Sequence, residues 1–234
     1  MANAVKHGRR ATPRGLGVVR INVGCGTTPT NGWVNFDNSP IVRVARWPML
    51  VRVLSAARLL RRQSREFAWV ANRTEIRFAN AVRRIPCADG AADALYSSHM
   101  IEHLDRAGAK AFLLEARRVL RPGGIVRICA PDLALLVRAY TSTGDADRLV
   151  ASTHMWQEAP GGIRARMKMA LIGPRHHLWM YDGPSLARLL TDAGFTNVAI
   201  VPAGTTNIRE PGELDLAERA GESTYVEGFQ PDRP

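Results

Sequence analysis

Residues 18–26 read VVRINVGCG. Val18–Val23 is a short, β-branched run that ends at a glycine, the pattern of a buried strand. Gly24-Cys25-Gly26 follows it at once. Glycines at that point let the backbone turn tightly and approach a ligand with no Cβ in the way. By itself the GxG pair is a weak signal. The third glycine of the dinucleotide fingerprint is absent, because Pro29 follows Thr27 and Thr28, and no lysine with Ser/Thr follows as in a P-loop. NAD and a P-loop nucleotide are therefore disfavoured. A nucleoside cofactor with an amino-acid tail is compatible with the loop.

Outward from this loop, strands alternate with helices. Trp33–Asp37 (WVNFD), Glu75–Ala79, Asp93–Ser98, Ile125–Ala130, Val198–Val201 and Thr224–Val226 read as strands. The segment 49–65 has apolar residues at Leu50, Val53, Leu54, Ala57 and Leu60, with arginines on the remaining face, and reads as one cationic amphipathic helix. Ala107–Leu120 reads as an amphipathic helix with Ala111, Leu114 and Arg118 spaced along it. Arg121-Pro122-Gly123-Gly124 reads as a breaker and turn that stops it. Further helices are expected over Leu133–Tyr140, Asp145–Gln157 and Pro184–Ala193, the last closed by Gly194. Pro160–Gly162 reads as a loop, and residues 1–16 as a flexible tail. The alternation implies a mostly parallel sheet covered on both faces.

The chain has 234 residues, enough for one domain with an embellishment. No apolar run is long enough to span a bilayer, and no signal h-region follows the basic N-terminus. Cys25, Cys87 and Cys129 are far apart and odd in number, which argues against a disulfide framework or a zinc site and for a reducing, cytoplasmic setting. The net charge of +11 is local. Residues 1–20 carry five cations and no acid, and residues 38–85 carry eleven arginines against two glutamates. Such blocks can meet RNA, an anionic membrane surface or an acidic partner, or form a solvated face. Arginine outnumbers lysine 29 to 3, a bias that genome composition also produces.

Four stretches in order, INVGCG, GWVNFD, IPCADGAADALYSSHMIEHL and ARRVLRPGGIVRICAPDL, resemble the motifs of class I S-adenosylmethionine-dependent methyltransferases. The later RHHLWMYDGPSLARLLTDAGFTNV is similar to a bacterial branch associated with glycan and cell-envelope gene neighbourhoods. The resemblance covers roughly residues 18–201. It implies a Rossmann-like class I methyltransferase fold, a mostly parallel central sheet with helices on both faces, and S-adenosyl-L-methionine as cofactor. Residues 17–234 would form the methyltransferase domain, with a basic helical insertion at about 40–72 and a helical, substrate-side insertion at about 141–181.

The same resemblance places Gly24, Cys25 and Gly26 beside the methionine moiety and Asp37, with Asn38, at the ribose hydroxyls. A carboxylate suits that role because its two oxygens are rich in lone pairs. Asn80 falls near the adenine. Ser97, Ser98 and His99 line the cleft at the carboxyl edge of the sheet, where open α/β sheets bind ligands. Two departures stand out. Asn22 replaces the acid often found two positions before the first motif glycine, and an amide there can still hold a backbone or an amino group. The distance from Gly24 to Asp37 is short, so the first crossover helix must be short or missing.

Methyl transfer from a sulfonium asks mainly for alignment, but a hydroxyl acceptor also needs its proton removed. His103, His99, Asp132 and His177 are the candidates for that work. His99 and His103 stand at i and i+4, which on a helix puts both imidazoles on one face. The family's own "leH" segment accounts for Glu102-His103, so no metal is expected. Asp132 can act on an acceptor or cap the helix that begins at Leu133. His176 and His177 with Trp179 and Tyr181 can stack on a sugar or pack as a core cluster. The leading expectation is O-methylation of a carbohydrate, glycolipid or small metabolite. The basic stretch 43–65 would serve as a lid or a peripheral contact with an anionic membrane or acidic partner. An RNA methyltransferase and a non-catalytic cofactor-binding subunit are the alternatives.

Overall fold

A computed structural model describes residues 17–60, 62–156 and 176–232. The basic tail at 1–16, Arg61, Gln157, the loop at Pro160–Gly162 and the middle of the 141–181 insertion lie outside the described residues. The strands are β1 (Arg20–Val23), β2 (Val34–Asp37), β3 (Ile76–Phe78), β4 (Ala92–Ser98), β5 (Leu120–Pro131), β6 (Thr196–Ile200) and β7 (Ser223–Phe229). The described helices are α1 (Pro40–Val44), α2 (Pro48–Ala56), α3 (Arg62–Arg73), α4 (Arg106–Val119), α5 (Leu133–Thr143), α6 (Ala146–Ser152) and α7 (Gly183–Asp192).

The strands form one sheet in the order β3-β2-β1-β4-β5-β7-β6. The pairs from β3 through β5 are parallel, whereas β7 runs antiparallel to both β5 and β6. This is the Rossmann-like class I methyltransferase fold. Every parallel strand from β1 to β5 therefore ends at one edge, and β7 begins there.

The two-residue period of the strands sorts their side chains. Ile21, Val23, Phe36, Leu95, Val126, Ile128 and Val226 join one buried cluster with α4 and α7. On α4 the buried stripe is Ala109, Phe112, Leu113, Ala116 and Val119, the i, i+3, i+4, i+7 rhythm of a core-facing helix. It is offset from the Ala111, Leu114 and Arg118 track expected from sequence, and Leu114 is exposed. Asp105 caps α4 by accepting from the Gly108 N–H at 2.7 Å, and Asp182 with Ser185 forms a capping box on α7.

The opposite face is covered differently. Trp33, Ala94, Tyr96, Ile125, Cys129 and Tyr225 pack there with Ile208 and Leu214. The last two belong to the connection from Val201 to Glu222, which crosses back over the sheet without regular secondary structure. Buried charges fix it. Arg127 and Glu227 stand opposite each other in the β5–β7 register and form a fully buried pair at 2.7 Å. The Arg127 guanidinium also donates to the carbonyls of Thr205 and Leu216. Glu227 accepts from the Thr206 hydroxyl and from the Asn207 backbone and amide. The acidic segment 210–222 thus caps one sheet face.

Two expectations are corrected, and a third, the short or missing first crossover helix, holds. The single cationic helix over 49–65 is two helices: α2 ends at Ala56, and Arg58 adopts a left-handed φ of 54°. The Arg121–Gly124 turn does end α4, yet it lies inside β5 as a bulge. Ala92 pairs with Leu120 and Ala94 with Ile125, so one residue of β4 between the pairs stands against four of β5. No helix joins β1 to β2, and residues 24–33 make only turns. Asn22 holds that loop, its amide donating to Thr30 Oγ1 at 3.2 Å and, at 3.5 Å, to the Thr28 carbonyl.

Candidate active site

The carboxyl edge of the sheet gathers the residues picked out by the motifs. Leaving β1, Gly24 has φ 71° and Gly26 has φ 50°, a backbone region that glycine enters without penalty. A Cβ on Gly24 would lie 2.7 Å from Met100 Cγ, so the loop packs directly on the segment that follows β4. Beside Gly26 the space is open to 4 Å. The Cys25 side chain points into the small core with Ile41, Val42 and Phe67, and burial pushes its thiol up. It anchors the loop.

Asp37 ends β2 against this loop. Its Oδ2 accepts from the Gly26 N–H at 3.0 Å and its Oδ1 from the Ser39 N–H at 2.7 Å. Burial raises its carboxyl above the usual carboxylate value, against the pull of those two N–H donors. Each oxygen keeps a lone pair for a further donor. Asn38 is exposed next to it. The Ala79 N–H donates to the Asp37 carbonyl, which sets Asn80 alongside, and the Asn80 side chain caps its own turn by accepting from the Val82 N–H. A glycine loop, a half-buried carboxylate and open space at Gly26 fit S-adenosylmethionine.

Beyond β4 the chain does not continue as a helix. Ser97 is buried, Ser98 lies beside Cys129 in the register, and His99 turns the backbone with a φ of 48°. A 3-10 turn, Ile101–His103, follows. His99 and His103 thus do not share a helix face, which corrects the i, i+4 expectation. His99 Nδ1 lies 3.2 Å from the Arg219 guanidinium, which can only donate, so Nδ1 accepts. Nε2 then donates to Ser223 Oγ at 2.9 Å. Burial and the Arg219 charge lower the His99 pKa to about 4. Both ring nitrogens are engaged, and Arg219 and Ser223 are partners that no sequence motif pointed to.

Glu102 is 1% exposed, and among the described residues neither carboxylate oxygen has a hydrogen-bond partner. Burial raises its pKa to about 8. His99 Nδ1 lies 3.6 Å and His177 Nε2 4.0 Å from its Oε1. His177 arrives on the strap 176–181, which is tied down by the Leu178 N–H donating to the Glu102 carbonyl at 2.7 Å. The rings of His103 and His154 stand 5.0 and 5.4 Å from that of His177. Burial, with His103 and His154 nearby, lowers the His177 pKa to about 4, and burial also lowers that of His103. Five of the six histidines of the chain thus collect at one end of β4.

Asp132 is not part of this group. Its Oδ1 accepts from the Ala134 N–H at 2.9 Å as the N-cap of α5, its own N–H donates to the Glu222 carbonyl, and it bridges to Tyr181. Trp179 is half-exposed under the Arg106 guanidinium, whereas Tyr181 is fully buried.

Residues 21–128, from β1 through most of β5, match the family model described as a methyltransferase domain. No curated protein sequence matches the chain. Among solved structures, a SAM-dependent methyltransferase from Thermotoga maritima superposes with a TM-score of 0.50 at 15% identity, covering 91% of this chain and 81% of its own. One from Methanosarcina mazei gives 0.48 at 13% identity, with 92% of each chain covered. The S-adenosylmethionine-dependent methyltransferase SibL gives 0.47 at 16% identity; 92% of this chain is covered, but the match spans only about half the length of SibL (51%). Residues 21–128 thus carry a methyltransferase domain, and the chain has the fold of S-adenosylmethionine-dependent methyltransferases.

Proposed function

We propose that the protein is an S-adenosylmethionine-dependent methyltransferase that methylates a hydroxyl of a carbohydrate, glycolipid or other small metabolite. The observation that carries this reading is that Glu102 and His103 follow closely on Met100, against which Gly24 packs, with His177 brought beside them by the strap 176–181. It sets proton-accepting groups beside the cofactor loop, and a hydroxyl acceptor is the kind that needs them. The cofactor supplies an electrophilic methyl on sulfur, so the protein's part is alignment and removal of one proton. Gly24, Gly26 and Asp37 hold the cofactor; His103, the exposed member of the cluster, meets the acceptor; His99 positions the turn through Arg219 and Ser223.

The basic segment supports a site of action at an anionic membrane surface. None of the residues of α2 is buried, and Trp47, Met49, Leu50, Val53 and Leu59 are exposed among exposed arginines. Apolar side chains amid cations suit a lipid interface better than a phosphate backbone alone. No described helix is long and apolar enough to cross a membrane. The test is product formation: S-adenosylhomocysteine release is measured with mono- and oligosaccharides, lipid-linked sugars, amines and RNA. Turnover confined to hydroxyl acceptors supports the reading, and turnover only with amines or RNA overturns it.

A further inference from the structure

We propose that Glu102, His103 and His177 form a binding site for a divalent transition metal ion of the zinc class, a site that sequence spacing did not reveal. The ligand atoms of these three residues lie within 4.8 Å of one another. Tetrahedral zinc with bonds of about 2.0–2.2 Å separates its ligands by about 3.3 Å, so side-chain rotations of roughly 1.5 Å or less close the set. The Glu102 Oε1 to His177 Nε2 distance of 4.0 Å is already near that value.

Three features separate this group from a chance meeting of polar side chains. The first is Glu102 itself. A carboxylate that is 1% exposed, with both oxygens unpartnered among the described residues, carries an uncompensated desolvation cost that a cation removes. The second is the tautomer of His103. Its Nδ1 lies 3.3 Å from the His176 carbonyl, which can only accept, so Nδ1 carries the proton and Nε2 keeps a free lone pair. A metal-ligating imidazole is held in this way, its other nitrogen donating to a carbonyl. The third is access: His103 is exposed while Glu102 and His177 lie deeper, which leaves an entry side among the described residues. Two imidazoles and one carboxylate are the donor set of a catalytic rather than a closed structural site, and imidazole selects zinc, iron, nickel or copper over magnesium.

The inference deepens the proposed hydroxyl methylation, on which its catalytic consequence rests: an ion here would bind the acceptor oxygen and lower its pKa, so that the proton leaves to solvent and His103 meets the acceptor through the ion instead of taking the proton itself. The metal site itself is tested without any acceptor. The full-length protein, stripped by chelator, is titrated with zinc by calorimetry and with cobalt(II) by visible absorption, with S-adenosylhomocysteine binding followed on the same samples. One zinc per chain is expected, with a ligand-field band for cobalt. Glu102→Gln and His103→Ala should each weaken zinc by about 100-fold or more, beyond what an outer-sphere change gives, and leave S-adenosylhomocysteine binding in place. His103 is exposed, so its removal reports on the site without risk to the core. Absence of stoichiometric zinc and of the cobalt band in protein that binds S-adenosylhomocysteine overturns the site, as does full zinc affinity in both variants. Metal binding with no hydroxyl turnover would leave the site standing and sink the acceptor reading instead.

Discussion

The Gly26 N–H and the Asp37 carboxylate meet at 3.0 Å, so the end of β2 and the loop after β1 act as one cofactor-binding unit although no helix joins the two strands. Removing the carboxylate both frees the loop and takes away the ribose acceptor. Asp37→Ala is expected to weaken S-adenosylmethionine by tenfold or more, about 1.4 kcal/mol, in calorimetric titration, and unchanged affinity would show that the ribose lies elsewhere. Burial raises the Asp37 pKa, so its ionised form is lost at a higher pH than for an ordinary carboxylate. Affinity should therefore fall on acidification while the pH is still above the usual carboxylate range, and Asp37→Asn should remove that dependence.

Gly24 is constrained twice, by a φ of 71° and by Met100 Cγ 2.7 Å from where its Cβ would stand. Gly24→Ala should lower stability by about 1–2 kcal/mol from the backbone alone, with a further overpacking cost of about 1–3 kcal/mol. Met100→Ala in the same chain removes Cγ but keeps Cβ, 2.9 Å from the same point, so it should recover only part of the packing cost. Thermal unfolding of the single and double variants measures that part; a Gly24→Ala protein as stable as the parent would mean that the loop is not seated on Met100.

The parts of the molecule that were legible in the sequence are those whose signal is local. VVRINVGCG gave a strand and its glycine loop because the β-branched run and the glycines act within a few residues. WVNFD gave the second strand and its acid in the same way. The antiparallel placement of β7 was not legible, because pairing partners are chosen over the 92 to 104 residues that separate Pro131 from Ser223 and Ile125 from Phe229. The path of residues 201–222 over the sheet was hidden for the same reason, although Arg127 in an otherwise apolar strand and Glu227 in YVEGF were a readable hint of paired buried charges. At the site, the histidine positions were visible but their grouping was not. The sequence paired His99 with His103 by helical spacing, whereas the left-handed His99 breaks that spacing and the strap 176–181 brings in His177.

The Arg127–Glu227 pair sets the stability of that covering segment. Glu227→Ala leaves a fully buried guanidinium without its carboxylate and strips the anchors of Thr206 and Asn207. Such half-pairs cost about 3–5 kcal/mol. Amide exchange should quicken first across 205–216, where Arg127 and Glu227 hold the backbone, while α4 exchanges at the global rate. Uniform loss of protection throughout the chain would show that the segment is not a separate unit of the fold. A paired apolar replacement, Arg127→Met with Glu227→Leu, should lose less than the single variant.

The exposed residues of α2 make a prediction with opposed outcomes for lipid and RNA. If the helix lies in an anionic interface, its apolar and cationic side chains both contribute, and the apolar part resists salt. Trp47→Ser with Val53→Ser should then reduce flotation with phosphatidylserine or phosphatidylglycerol vesicles about as much as Arg52→Ser with Arg58→Ser. Vesicles of phosphatidylcholine alone should bind neither the parent nor the variants appreciably. RNA engagement through the same face would instead depend on the arginines, fall steeply with salt, and be indifferent to loss of Val53. Because all four of these side chains are exposed, none of these changes should move the thermal midpoint. Vesicle binding that survives the apolar pair and vanishes at moderate salt would reduce the surface to a diffuse positive charge.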